Sequence, residues 1–394
     1  MTTGLAGFRL RQRPPTPARF LGDHLMEHLA RMKQLGEASV AEPFKGITAD
    51  GTVVPGLFPI RSTGVPTQSI KEAADAFLAA LGSEEQAEAL FPVNSDAWRR
   101  WCNVHPFLMR HGVSLDGMSE PQRQRALGLL RESLSARGYE AARDVMKLNH
   151  HIGEITGKWD EYGEWLYWLS VMGRPSPDEP WGWQIDGHHL IVNCFVLGDQ
   201  VVMTPLFMGS EPVAAESGKY AGTRVFEVEE RDGLALMRSL TSEQRRRATV
   251  SDKLPGELFT AAFRDNLELK YEGVRYEELS SAQQSRLVDL IETYVGRMRA
   301  GHAGVKMQEV KEHLAETYFA WMGGCEDDSV FYYRLHSPVI LIEFDHQAGI
   351  AFDNNEPTRN HIHTVVRTPN GNDYGMDLLR QHHEQFDHSH PVPA

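Results

Sequence analysis

The chain reads as an α+β protein. The expected architecture is a helical N-terminal half and a mixed, largely antiparallel sheet built from segments 183–208 and 330–367, surrounded by helices. Three observations predict it. Apolar residues recur at three- and four-residue spacing through much of 20–170, the period of an amphipathic helix. A proline-rich break, Arg174-Pro175-Ser176-Pro177-Asp178-Glu179-Pro180, then gives way to short apolar runs separated by turn residues. The two strand-like blocks lie about a hundred helical residues apart, and short strands must pair to satisfy their backbone groups. One shared sheet is the economical arrangement.

Taken in order, residues 1–20 are rich in Arg and Pro and read as a flexible basic arm. Residues 20–36 place Leu21, Leu25, Leu29 and Met32 on one helix face. An Asp50-Gly51 turn precedes a short extended stretch at 52–60. Residues 68–81 are helical, with Ile70, Ala74, Phe77 and Leu81 aligned. The segment 119–138 begins at a Ser cap and ends at Gly, and 139–153 continues with Ala142, Val145, Met146 and Ile152. Beyond the proline break, 190–196 and 201–207 flank Gly198-Asp199, a hairpin signal. Residues 227–317 return to helix, most clearly at 281–298. Strand patterns follow at 330–335, 339–344 and 361–367, then a helix at 376–386. The domain reading is an arm at 1–20, one large domain at 21–387 and a tail at 388–394. Within the domain, 21–173 is the helical part and 181–387 contains the strands.

Composition narrows the function. The 394 residues carry 40 Lys+Arg against 54 Asp+Glu, a net charge of −14, which disfavours nucleic acid as a partner because phosphate binding needs a basic surface. Cys102, Cys194 and Cys325 are odd in number and far apart, which points to reduced thiols and a cytoplasmic setting. No apolar run approaches the length of a membrane-spanning helix, and the N-terminus lacks the apolar core of a signal peptide. Histidine is the unusual count. Eight of 18 fall in the last 59 residues.

Two short motifs hold the most informative histidines. In His361-Ile362-His363, a strand puts both imidazoles on one face, and neutral imidazole suits zinc, iron, nickel and copper. In Gly187-His188-His189-Leu190, adjacent strand residues point to opposite faces, so only one of His188 and His189 joins the other pair. Alone, the first could equally be a pair of surface or hydrogen-bonded histidines, and the second reads rather as a tryptophan-rich core corner whose histidines satisfy backbone groups. It is the two together, both in the strand blocks expected to pair, that point to a site. Glu343, Asp345, Asp353 and Glu356 are the carboxylates near the HxH strand. Glu343 interrupts the apolar run 339–344, where a charge needs a partner or a metal unless it faces water at an edge. Asp373 and Tyr374, in a polar turn just after the ligand strand, are candidate proton-transfer groups, although Asn370 and Asn372 suit a plain Asx turn. Arg334 and Arg367 could clamp an anionic substrate bidentately or pair with a structural Asp. Trp183 and His383 complete the candidate substrate-binding set. His24-Leu25-Met26-Glu27-His28 matches the inverted zincin pattern but is short enough to recur by chance.

Several segments together resemble a bacterial and fungal family catalogued as domain of unknown function 3500. They are Trp181-Gly182 leading to Gly187-His188-His189-Leu190, and Thr204-Pro205-Leu206-Phe207-Met208-Gly209. Further on they are Glu343, His361-Ile362-His363-Thr364, Arg367 and Asn372-Asp373-Tyr374-Gly375. The likeness spans about 80 to 390. It implies a shared site joining the two histidine motifs, and carries over neither a reaction nor a ligand set.

The expected function is that of a metal-dependent enzyme, foremost a hydrolase. His361, His363 and one of His188 and His189 would hold a divalent ion, zinc or iron, with Glu343 as fourth ligand or base. The substrate would be a small organic molecule, anionic if the arginines hold it. The alternatives are a non-haem iron or copper oxygenase using the same histidines, and a non-catalytic protein binding a small ligand. The partner is then a small molecule, with neither nucleic acid nor membrane, and a homo-oligomer is left open.

Overall fold

The computed structural model describes residues 9–11, 23–104 and 108–386. Ten helices and thirteen strands lie among them. The helices are α1 (Asp23–Ala41), α2 (Gln68–Ala79), α3 (Ser83–Ala89), α4 (Glu120–Ser133), α5 (Ala136–Thr156), α6 (Glu227–Ser239), α7 (Ser242–Ala248), α8 (Ser281–Val295), α9 (Ala300–Glu312) and α10 (Met376–Gln385). The strands of the first half are β1 (Leu90–Phe91), β2 (Val113–Ser114), β3 (Tyr167–Met172), β4 (Trp181–Gly187), β5 (Leu190–Leu197), β6 (Gln200–Val202) and β7 (Leu206–Ser210). Those of the second are β8 (Thr249–Ser251), β9 (Val274–Arg275), β10 (Tyr318–Gly323), β11 (Phe331–His336), β12 (Leu341–Gln347) and β13 (Thr358–Arg367).

All thirteen strands form one open sheet. Its main order is β1-β3-β4-β5-β7-β13-β12-β11-β10-β8, with β2, β6 and β9 at its margins. Only β1 with β3 and β8 with β10 pair in parallel, so the sheet is mixed and largely antiparallel. The two strand blocks meet where β7 pairs with β13, from Leu206 opposite Val366 to Ser210 opposite Ile362. The α+β expectation and the joined blocks are borne out.

The sheet is larger than 183–208 plus 330–367. It takes in β1, β2 and β3 from the expected helical half, and β8, β9 and β10 before the second block. The stretch 52–60 forms no strand: Pro55 and Pro59 have no N–H to donate, and the Val54 N–H goes to the Asn370 side chain at 3.1 Å. The 119–138 helix is two helices. Ser119 and Gln122 cap α4, and Ser135 starts α5 by accepting from Gly138 N at 3.0 Å. Gly138 is therefore not a terminator. A Cβ there would lie 2.1 Å from the Arg297 carbonyl oxygen, so the chains approach as only glycine allows.

The two faces of the sheet differ in kind. One carries Trp181, Trp183, Val192, Met208, Ile362, Val366, Phe344 and Tyr333, and packs on α2, α4, α5, α6, α8 and α9 in a single apolar core. The other carries Ile191, Phe195, Phe207, Val365 and Tyr332, but also a row of buried polar groups that includes Asn193, Glu343, Asp345, His361, His363 and Arg367. Segments around Trp98, Trp101 and Leu258, together with α10, cover that face. Buried polar groups are tolerated only with partners, so this is the face on which to look for chemistry.

Candidate metal centre

The site begins with a two-residue turn. Gly187 pairs with Leu190, leaving His188 and His189 at the tip between β4 and β5. His189 has φ +62°, a left-handed conformation uncommon for a residue with a side chain. Three hydrogen bonds hold it there: Tyr167 OH to the His188 carbonyl at 3.1 Å, His189 N to the Asn103 carbonyl at 3.2 Å, and Gly209 N to the His189 carbonyl at 2.8 Å. The turn, rather than strand alternation, separates the two imidazoles. Their rings stack with centroids 3.8 Å apart, and the His188 Nδ1–H donates to Asn149 Oδ1 at 2.8 Å.

From β13, His361 and His363 project on the same face. His363 is in register with Gly209 of β7, the strand between β13 and β5. A Cβ on Gly209 would lie 2.8 Å from His363 Cδ2 and 3.1 Å from His189 Cδ2. The two rings thus meet over the one position in β7 that offers no side chain.

The three Nε2 atoms converge. His361 and His363 are 3.0 Å apart, His363 and His189 3.1 Å, and His361 and His189 3.4 Å. The Nδ1 atoms of two of them are committed elsewhere. His361 Nδ1 is 2.7 Å from the Ala348 carbonyl oxygen and His363 Nδ1 is 2.9 Å from Glu257 Oε1. Each must carry its proton on Nδ1 to make that bond, which leaves the neutral ring with its Nε2 lone pair facing inward. Lone pairs facing one another repel unless a cation lies between them. Tetrahedral zinc with Zn–N bonds of about 2.0–2.1 Å puts neighbouring ligand nitrogens about 3.3 Å apart. A facial octahedral set puts them about 3.0 Å apart. The observed spacings span these two geometries, so the three side chains fit a divalent metal ion. They are 6%, 2% and 4% exposed for His189, His361 and His363, so bulk water does not compete for them. Burial lowers His361 to about 4, and burial with the neighbouring imidazoles lowers His189 well below its ordinary value. Both favour the neutral, ligating form.

A second layer orients the rings. Burial alone would raise Glu257, but His363 and the Leu258 N–H hold its carboxyl below the usual range. A carboxylate on the far nitrogen of a ligand imidazole fixes its tautomer and raises its basicity. The Ala348 carbonyl belongs to a loop gripped from two sides. Glu211 accepts from Ile350, Ala351 and Phe352 N–H at 3.0–3.4 Å, and Arg11 donates to the carbonyls of Gly349, Phe352 and Asn354. Asp345, opposite His363 on β12, is fully buried; burial and the carboxylates of Glu257 and Glu343 push it well above the usual carboxylate range.

Of the residues expected at the site, His189, His361 and His363 come together. His188 stacks behind His189, outside the converging set. Glu343 is on the same face, but its oxygens accept from Phe259 N, Thr260 N and Tyr332 OH at 2.8 Å each and from Thr260 Oγ1. Arg334 is bound to Glu272 at 2.7 Å. Arg367 joins Asp373 and Asp265 at 2.7 Å each. Tyr374 OH accepts from Trp101 Nε1 and donates to Asp265 in the same buried network. Trp183 lies in the helix-packed core on the opposite face, with its indole N–H on Ser133 Oγ. His383 is exposed on α10. His346 is on the helix-packed face, between Glu230 and Phe331. The side chains of His24 and His28, the arm outside 9–11 and the 388–394 tail lie outside the described residues. Sequence reasoning missed Glu257 and Glu211, which no local pattern ties to the histidines, and named Gly209 only within a family segment, without a role.

Fold and site together define an open-sheet α+β protein with a buried three-histidine centre where two hairpin systems join. The chain belongs to the family described as protein of unknown function (DUF3500), whose model matches residues 63–376. That span includes every histidine of the centre. No curated protein and no solved structure matches the chain.

Proposed function

We propose that the protein is a metal-dependent hydrolase acting on a small organic substrate. The observation that carries this reading is the convergence of three Nε2 lone pairs, two of them enforced by Nδ1 bonds to a carbonyl and a carboxylate. A divalent ion with three protein ligands keeps an open position and brings the pKa of a bound water to about 7. The chain's part is to hold the ligand rings, with Glu257 and the Ala348 carbonyl fixing two tautomers, and to shield the centre from bulk water. Arg367 has buried carboxylate partners in Asp265 and Asp373, whereas Arg334 reaches Glu272 through Nη2 alone and keeps Nε and Nη1 unpartnered, so a substrate's negative charge would be met by the ion and, of the two arginines, by Arg334. The three-nitrogen set suits catalytic zinc better than the 2-His-1-carboxylate set of non-haem iron oxygenases.

Elemental analysis of purified protein tests the reading. About one zinc or iron per chain is expected, lost in His189→Ala and in a His361→Ala/His363→Ala variant and retained in His188→Ala. Absence of stoichiometric metal from the wild type, or its retention in the double variant, would overturn it. Turnover that stops without oxygen would replace hydrolysis by oxygenation. Ligand binding that survives metal stripping, without turnover, would leave a binding protein.

A further inference from the structure

The carboxylates around the centre divide sharply by how they are satisfied. Glu211 takes three backbone N–H groups, Glu257 takes the Leu258 N–H and His363 on Oε1 and has a side chain 30% exposed to water, and Glu343 takes two backbone N–H groups and two hydroxyls. Asp345 is different. Its Oδ2 accepts from Gln347 Nε2 at 2.6 Å, while its Oδ1 is buried without a hydrogen-bond partner. A buried polar atom left unpaired costs roughly 1–3 kcal/mol, and such atoms in native proteins commonly belong to sites where another molecule completes them.

Position says which molecule. Asp345 is the cross-strand partner of His363, which is the partner of Gly209, whose N–H binds the His189 carbonyl. Asp345, His363 and Gly209 therefore form one transverse row over β12, β13 and β7, continued by His189 in the turn that enters β5, all on the face to which the metal ligands project. Glu343, two residues along the same strand face, is occupied by the 259–260 segment. Asp345 is the carboxyl left for the centre itself.

We propose that Asp345, through Oδ1, hydrogen-bonds the water or substrate atom held at the open position of the three-histidine centre, and is a catalytic residue. This rests on the metal reading above. Asp345 lies outside the group of three whose ligand atoms converge, so it acts on the bound ligand and not as a fourth ligand. Beside a divalent cation, which favours the charged form of a carboxyl group over the upward push of burial, Asp345 is a carboxylate that accepts a hydrogen bond from a bound water but offers none to an anion, and so favours water there.

The test uses the full chain loaded with cobalt(II), whose visible absorption reports its ligands, titrated with azide as the probe. Wild type and Asp345→Asn should both hold one cobalt per chain, and the variant should bind azide about tenfold more tightly. Asp345→Ala should show the same gain, and Asp345→Glu should return to within about threefold of wild type. Unchanged azide affinity in a fully loaded Asn or Ala variant overturns the inference. Loss of cobalt from folded Asn and Ala variants, judged by an unchanged circular dichroism spectrum, also overturns it by making Asp345 a ligand. Failure of the wild type to take up cobalt is a separate outcome: it removes the metal reading on which this inference stands.

Discussion

Gly209 shows how much one residue can decide. Its missing side chain lets the rings of His189 and His363 close over β7, and a Cβ would also sit 2.9 Å from the Ile362 carbonyl oxygen on the paired strand. Gly209→Ala should therefore destabilise the protein by about 1–3 kcal/mol through overpacking. It should weaken metal binding at least tenfold while leaving the ligands themselves untouched; a metal competition assay and a denaturant melt read the two effects. At this scale the sequence was partly legible. His361 and His363 could be paired because a strand repeats every two residues. The choice of His189 over His188 could not be made, since it depends on a left-handed turn residue and on bonds from Tyr167, Asn103 and Gly209. Glu343 and Asp345 share a strand face, and nothing local says that Phe259 and Thr260 arrive to bind the first and not the second.

Among elements, the loop between β12 and β13 has the most direct hold on the centre, because its Ala348 carbonyl orients His361. It is clamped between the Glu211 carboxylate and the Arg11 guanidinium, and the 9–11 segment adds backbone bonds from Arg11 N to Ala351 O and from Asp353 N to Arg9 O. Charge-assisted bonds of this kind are about twice as strong as neutral ones. Arg11→Ala should increase hydrogen exchange across 348–355 and lower metal affinity several-fold, with little change in exchange of the core strands β5 and β7. Protection of the loop unchanged in that variant would show that Glu211 alone suffices. The strands were more legible than their neighbours. The apolar runs of β5, β7, β12 and β13 signal themselves through period and turn residues, whereas β1, β2, β8 and β9 are two- or three-residue pieces that exist only because a longer strand lies beside them.

For the whole molecule, a metal that binds only the folded chain adds RT ln(1 + [L]/Kd) to stability, about 4 kcal/mol at a thousandfold excess over Kd. Chelation should accordingly lower the melting temperature by a few degrees, and zinc should restore it. The His361→Ala/His363→Ala variant should melt at one temperature with or without chelator. No helix among the described residues is long and apolar enough to cross a membrane. The C-terminal excess of histidine resolves into different fates: two residues enter the centre, while His346 serves the helix-packed face and His382 and His383 lie on α10. By itself the sequence determined the α+β class, the strands β5, β11, β12 and β13 and the HxH pair, because periodicity and turn chemistry are local, but not β3 or β10. Tertiary structure alone decided that β7 lies between β5 and β13, that its glycine lets His189 reach the pair, and that Glu257 and Glu211 stand behind two of the rings. Those relations join residues up to 174 positions apart, as for His189 and His363. They are fixed by strand pairing and packing, which no local pattern encodes.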